Sequence, residues 1–423
     1  MRADHIRANI PDNVLMIPGC VIDISKYRHI IDTKQFQDLR GKKQLGLVEK
    51  IFPGATHTRF EHSAGTLYIT QEITRHLGFN EDEARLLELL GLLHDIGHGP
   101  FSHQVEPLLE NGNCHEKRGI EIVHSLKDEI SNLVDFDRFV ALFSKKNPLA
   151  QMVYDRNIGS DKLDYLFRDA YHTGIKKQAN TSEIVKYLVY DDKEGRYGIE
   201  ERLESEVKML QEHYVYMHFG VYLRKKSVID QRMFQRAVEE LLKAKPGIDL
   251  LGLNDSDLEA ELIRGESALA RELFERIRYR ASLKTAVVFK VAEYAKERIA
   301  GKPIRLFELS EDDMRRFDFR YSNVRNLSAL EERIAKELRL KSGELLVATM
   351  PFAGRLIPHD VWIYSQTDDR WHSLFEKHPY HSQKLKNDHH SSFAIRVVAP
   401  EEKRQYVFGR AEEVKDIILA QIK

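Results

Sequence analysis

The apolar positions of this chain follow a helical period over most of its first 300 residues and change texture afterwards. Residues 80–95 are the clearest case. Asn80 and Glu83 stand at capping-box spacing, and Leu86, Leu87, Leu89, Leu90, Leu92 and Leu93 cover most of the helix circumference, which predicts a buried helix. Gly97, Gly99 and Pro100 must end it, because glycine costs helix stability and proline disfavours a helical residue before it. His94 and Asp95 are therefore expected in its last turn. Apolar periodicity with little glycine or proline predicts further helices at 115–134, 161–171, 201–243, 256–274 and 283–300. Beyond about residue 300, GELLVATMPF, DVWIYS, FAIRVVA and RQYVFG read as short strands rich in β-branched and aromatic residues. The expectation is a mainly α fold with a smaller C-terminal α+β region, divided as 1–240, 241–300 and 301–423. The polar stretch 378–392, HPYHSQKLKNDHHSS, lacks periodicity and reads as a loop. Its histidines have no acidic or thiol partner at ligand spacing and read as exposed.

At 423 residues the chain exceeds what one compact core usually holds. With 42% hydrophobic and 31% charged residues, and 65 basic against 66 acidic, it has the profile of an ordinary globular protein with no global basicity to signal nucleic acid. The opening MRADHIRANIPDN offers no apolar run for a signal peptide or membrane span, so a cytoplasmic location is the default. Cys20 and Cys114 are far apart, without a pairing pattern, and read as plain thiols.

The histidines alter this picture. Nineteen in the chain predict about one per 22 residues, yet His94, His98, His103 and His115 fall between 94 and 115. Imidazole is the commonest transition-metal ligand near neutral pH, and carboxylates complete sites for manganese, iron, zinc or nickel. A helix-end His94-Asp95 doublet presents one nitrogen and one oxygen to a common point. Taken singly, such a doublet is more often a packing feature.

Three segments taken together carry more: HTRFEHS with His62, LLHDIGHGPFSH with His94 to His103, and SDKLDYLFRD with Asp161 to Asp169. In these motifs, their order and their lengths, the chain resembles the HD-domain phosphohydrolase superfamily, and specifically its deoxynucleoside triphosphate triphosphohydrolase branch. The likeness runs from about residue 30, at IIDTKQFQDLRGKKQLG, through FPGATHTRFEHS to about residue 176, and more weakly to about 240. The resemblance implies an HD helical core within 1–240, in which His62, His94, Asp95 and Asp161 bind one divalent metal ion, whether Mn, Fe, Mg, Ni or Zn.

The resemblance also implies roles around that metal. His98 would lie close to the scissile phosphate, with Glu106 and His115 as the acid and imidazole that keep a proton for the leaving oxygen. Asp95 would both bind the metal and orient the attacking water. Some relatives carry Asp at the position of Glu106. His103 would lie near the phosphates, although bracing the loop after Pro100 accounts for it equally simply. A polyanionic substrate needs cations beyond the metal. Arg59, three residues before His62, is the leading one, with Lys162 after Asp161 and Lys225 in VYLRKKS, the last equally readable as a solvated helix face. Gln44 and Asp169 would hydrogen-bond the sugar, and Tyr165 would pack on it and crowd the 2′ position. The reaction implied is attack of water at the α-phosphorus of a deoxynucleoside triphosphate, releasing nucleoside and triphosphate.

Asp32, Gln37 and Arg40 match positions that bind a nucleotide effector in activated relatives, but Asp38 stands where the branch's mammalian member has arginine, and the NDPIHG stretch is replaced by LMIPGCVIDIS. A salt bridge or cap explains Asp32 and Arg40 equally well. Relatives form oligomers, so a homodimer or homotetramer is expected, with no requirement for nucleic acid or membrane. One rival is an HD-type phosphatase of another nucleotide or a phosphomonoester. Another, of a different class, is a nucleotide-sensing or nucleic-acid-binding protein with a vestigial site, to which basic runs such as Arg224–Lys226 and RIRYRASLK at 276–284 would belong.

Overall fold

The structure, a computed structural model, describes residues 13–109, 114–176, 179–295, 297, 299–350 and 356–422. A hairpin of β1 (Val14–Ile17) and β2 (Cys20–Asp23) leads into the helices that carry the histidine motifs: α1 (Arg59–Leu77), α2 (Glu81–Leu93), α3 (Cys114–Ser125), α4 (Phe136–Phe143) and α5 (Ser160–Thr173). Asn80 caps α2 by accepting from the Glu83 amide, as its spacing predicts. The helix ends at Leu93, with His94 as its C-cap and Asp95 just beyond. Their apolar faces close a first core with Leu67, Leu87, Leu90, Leu93, Leu163 and Leu166.

Next come β3 (Leu188–Asp191), β4 (Arg196–Glu200), α6 (Glu204–Met217), a π-helical turn over His218–Tyr222 and α7 (Lys225–Ala244). The single helix expected over 201–243 is thus interrupted, and a π turn of this kind commonly marks a functional position. The helix expected at 256–274 is two, α8 (Asp255–Arg264) and α9 (Ala268–Arg278).

The remainder is α+β, as expected, with three local corrections. Residues 283–300 are not a helix: β5 (Lys284–Val291) occupies their first half. Seven of its eight residues are buried, so it lacks the alternation that marks a half-exposed strand, and a short buried apolar run looks alike in either state. It pairs with β6 (Arg305–Leu309); α10 (Glu311–Tyr321), α11 (Val324–Glu337) and β7 (Leu346–Ala348) follow, with 351 and 352 of the expected strand lying outside the described residues. Strand β8 (Trp362–Ser365) lies where DVWIYS predicts one, and β9 (Arg370–Ser373), which no pattern predicted, follows it. The stretch read as a loop is a helix, α12 (Pro379–Ser392), held by buried Leu385 and by His381, whose ring lies 2.9 Å from Gln211 on α6. After β10 (Ile395–Ala399), RQYVFG falls in helix α13 (Glu401–Gly409), followed by α14 (Ala411–Ile422).

The sheet order β6-β5-β10-β7 forms the second core, under α7, α9, α10, α11, α13 and α14. The other four-stranded sheet, β3-β4-β8-β9, is built across the chain, because β8 pairs in parallel with β4 and so returns to the helical body. Cys20 is a free thiol, and the Cys114 side chain lies outside the described residues. No helix among the described residues is long and apolar enough to cross a membrane.

Candidate active site

Thr58 caps α1 and places Arg59 and His62 one turn apart on its buried face. Four expected ligands come together there from three segments. His62 Nε2 lies 3.2 Å from His94 Nε2 and 3.2 Å from Asp161 Oδ1, and Asp161 Oδ1 is 3.6 Å from His94 Nε2. Asp95 stands alongside, with Oδ1 3.4 Å from His94 and Oδ2 3.6 Å from His62.

The outer nitrogens of the two rings are already engaged. His62 Nδ1 faces Asp164 Oδ2 at 2.8 Å and His94 Nδ1 faces the Gly91 carbonyl at 2.8 Å. Both partners are acceptors, so each Nδ1 carries a hydrogen and each Nε2 is the nitrogen left for a cation. The Nε2 atoms of His62 and His94 and an Asp161 oxygen lie close enough to share one divalent cation, with the Asp95 carboxylate alongside, a donor set of the nitrogen- and oxygen-binding kind. Burial disfavours a charged His62, yet the Asp161 and Asp164 carboxylates outweigh it and raise the imidazole to about 10, so a bound cation would take the place of its second proton. Burial also opposes ionisation of Asp95, but His94, Arg59 and His98 hold its carboxyl well below the ordinary range.

Arg59 is almost fully buried, with Nη1 against Asp95 Oδ2 and Nε donating to Ser102 Oγ at 2.6 Å. Phe101 and Ser102 both hold positive φ, 50° and 42°, a strained backbone for residues with side chains. Buried Asp255 secures it, accepting from the Phe101 amide at 2.8 Å and the Lys43 amide at 2.9 Å.

A second group gathers on Glu106. Its Oε1 lies 2.9 Å from both His98 Nδ1 and His115 Nδ1, and its Oε2 lies 3.0 Å from His103 Nδ1. His98 Nε2 in turn lies 3.3 Å from Asp95. The His98 and His115 rings are stacked, 4.3 Å between centroids and 9° from parallel. An imidazole nitrogen binds a cation in its own ring plane, so two stacked rings cannot both face one ion, and the group is better suited to holding a proton. Burial and Arg59 keep His98 toward its neutral form, while Glu106 outweighs burial at His115 and raises it.

Both groups open on a cavity of about 640 Å³, within the range of small-molecule sites. Gln44, Tyr165 and Asp169 line one side. Asp169 is fixed through both oxygens, to His57 Nε2 at 2.7 Å and from the Tyr222 hydroxyl at 2.5 Å, whereas the buried Gln44 Oε1 has no protein partner. Lys162 and Lys225 do not line this cavity. Lys162 is buried with its ammonium 3.2 Å from the Tyr214 ring centroid, and burial lowers it to about 7. Lys225 lines a smaller cavity and lies 3.4 Å from Glu297. Asp32, Gln37 and Arg40 lie apart too: Asp32 pairs with Arg28 at 3.2 Å, and Arg40 donates to Gln37 Oε1 at 2.8 Å and stacks on Phe60.

Sequence reasoning missed His57, Tyr154, Asp164, Arg168, His218 and Tyr222. Asp164 and Arg168, at i+3 and i+7 from Asp161 on one helix, were within reach of the same periodicity argument; the others carry no local signal.

Residues 59–155 match the HD domain family. An uncharacterised protein of Methanocaldococcus jannaschii is 28% identical over 93% of this chain and 79% of its own length. The deoxynucleoside triphosphate triphosphohydrolase SAMHD1 of Danio rerio is 28% identical over 59% of this chain and 48% of its own. This chain spans about half or less of the curated relatives that bear that name. A phosphohydrolase of Bacteroides thetaiotaomicron shares the fold, with a TM-score of 0.70, 23% identity, and coverage of 92% of this chain and all of that one. Residues 59–155 thus carry an HD domain, and the chain is similar to HD-domain phosphohydrolases, SAMHD1 members among them.

Proposed function

We propose that the protein hydrolyses deoxynucleoside triphosphates to deoxynucleoside and triphosphate, using one divalent cation held by His62, His94, Asp95 and Asp161. The observation that carries the metal is the convergence of two Nε2 atoms 3.2 Å apart, each ring fixed from behind by an acceptor. Bound there, a divalent cation would lower the pKa of water to make it a nucleophile near neutral pH and would polarise the phosphoryl oxygen.

The residues divide the remaining work. Arg59, fixed by Asp95 and Ser102, offers its guanidinium to the charge that develops on the equatorial oxygens. His98, between Asp95 and Glu106, lies where it can pass a proton to the leaving oxygen, and Glu106 with His115 behind it supplies that proton. His103, largely exposed at the cavity wall, is free to turn toward phosphate.

Support for a deoxyribose comes from the other side of the cavity. Tyr165 stands edge-on to His62 at 6.4 Å, close enough to crowd a 2′-hydroxyl near the metal. Gln44 Oε1 is an acceptor that lacks a protein partner, and Asp169 is pre-oriented by His57 and Tyr222 to meet a sugar hydroxyl. The names of the curated relatives point the same way. Replacing His94 and Asp95 together with alanine is expected to remove both bound metal and turnover. Turnover by the metal-stripped double variant would end this reading.

A further inference from the structure

Among the described residues, Arg59 and Lys145 are the only arginine or lysine lining the main cavity. Arg59 is held by Asp95 and Ser102 beside the metal cluster, and Lys162 and Lys225 do not line the cavity. Arg59 serves the charge at the reacting phosphorus, so Lys145 is the cation of the described cavity lining left for the outer phosphates of a triphosphate. We propose that Lys145 is a polyphosphate-binding residue, which rests on the triphosphate reading above.

Position comes first. The Lys145 ammonium lies 4.6 Å from the Tyr154 ring centroid, and that ring lies 6.4 Å from His94. The lysine is thus one aromatic ring away from the metal cluster. Tyr165 stands beside the cluster at His62, as Tyr154 does at His94. A substrate with its sugar at Tyr165 and its α-phosphate at the cluster directs its outer phosphates toward Lys145.

The end of α4 sets where the lysine sits. Helix α4 closes with the Lys146 amide donating to the Ala141 carbonyl and the Lys145 amide to that of Leu142, a Schellman closure that puts Lys145 in the left-handed position, φ 59°. Glycine is the usual residue there, because a side chain strains this conformation. Arg280 and Arg339 close α9 and α11 in the same way, so what sets Lys145 apart is that its helix end forms part of the cavity wall. Its present partner is Glu116, at 2.7 Å, and the pair is about half exposed. Such a pair is weak enough for a phosphate oxygen to replace the carboxylate. Lysine suits a mobile chain of phosphates, since its ammonium is a point charge on a flexible stem.

The test is calorimetric binding of inorganic tripolyphosphate to the metal-loaded protein, for wild type, Lys145→Ala, Lys145→Arg and Lys145→Gly, with KM and kcat for dGTP and dATP alongside. Affinity is expected to fall about tenfold in the Ala and Gly variants, with KM rising more than kcat falls, and to be largely kept in Lys145→Arg. Lys145→Gly is expected to melt no lower than wild type, which separates lost charge from lost fold. Unchanged tripolyphosphate binding in the Ala and Gly variants overturns the assignment, as does an equal loss in Lys145→Arg. If wild type binds tripolyphosphate through Lys145 but turns over no deoxynucleotide, the lysine assignment stands and the reaction falls. If deoxynucleotides release tripolyphosphate in wild type and in every variant alike, the reaction stands and the lysine falls.

Discussion

Asp164 holds His62 from behind: its Oδ2 meets the ring Nδ1 at 2.8 Å, and Arg168, one turn further along α5, binds both carboxylate oxygens at 2.9 and 2.6 Å. The guanidinium keeps Asp164 ionised and in place, and Asp164 keeps the hydrogen of His62 on the outer nitrogen. Replacing Asp164 with alanine removes that constraint without touching a metal ligand. Metal retention after dialysis is expected to fall about 10- to 100-fold, with turnover falling in step. Full retention, measured by elemental analysis, would mean that the ring is held by other means.

Gly65 is the point where α1 passes this pair. A β-carbon there would stand 2.0 Å from Asp164 Oδ1 and 2.1 Å from Arg168 Nη2. Gly65→Ala must push the helices apart or break the ion pair, at a cost of about 1–3 kcal/mol for overpacking. The expected result is a lower melting temperature together with weaker metal retention. A fully stable, fully loaded alanine variant would contradict the close approach.

Asp255 ties the strained Phe101–Ser102 backbone to the loop at Lys43. Asp255→Ala leaves two buried amides without an acceptor and is expected to destabilise the protein by roughly 2–4 kcal/mol. Because Ser102 accepts from Arg59, turnover is expected to drop beyond what the lost stability explains. Denaturant melts and kcat/KM of the same preparations separate the two effects.

Stability is expected to decline in acid through His218. Burial, aided by Lys162, pushes this imidazole down to about 3, whereas an unfolded chain protonates it near 6.5. Below about pH 6.5 the unfolded state therefore takes up a proton that the folded state refuses, and stability falls until the pH approaches 3. The slope reaches at most about 1.4 kcal/mol per pH unit. In His218→Asn this contribution disappears, so its stability should change less than that of wild type between pH 6.5 and 4. Parallel curves would remove His218 from the account.

The chemistry of the site was more legible in the sequence than its surroundings. The leucine run with its Asn80 cap predicted α2 to within two residues at its end, and motif order picked out His62, His94, Asp95 and Asp161, which the fold brings together. Local patterns fail where burial or distance decides. β5 is buried on both faces and loses its alternation, and α12 is polar yet packs through Leu385 and His381 on a helix some 170 residues earlier. The cations are the sharpest case. Lys162 and Lys225 sit in the expected motifs but do not line the cavity, and Lys145 lines it from a helix end that no motif marks.

The most direct measurement is product analysis. The protein, stripped of metal and reloaded with Mn²⁺, is incubated with dGTP, dATP and the matching ribonucleotides, and the phosphorus products are resolved by chromatography. The account predicts deoxynucleoside and intact tripolyphosphate from the deoxynucleotides, little from the ribonucleotides, and nothing without metal. Orthophosphate or pyrophosphate as the product, or equal turnover without metal, would contradict it.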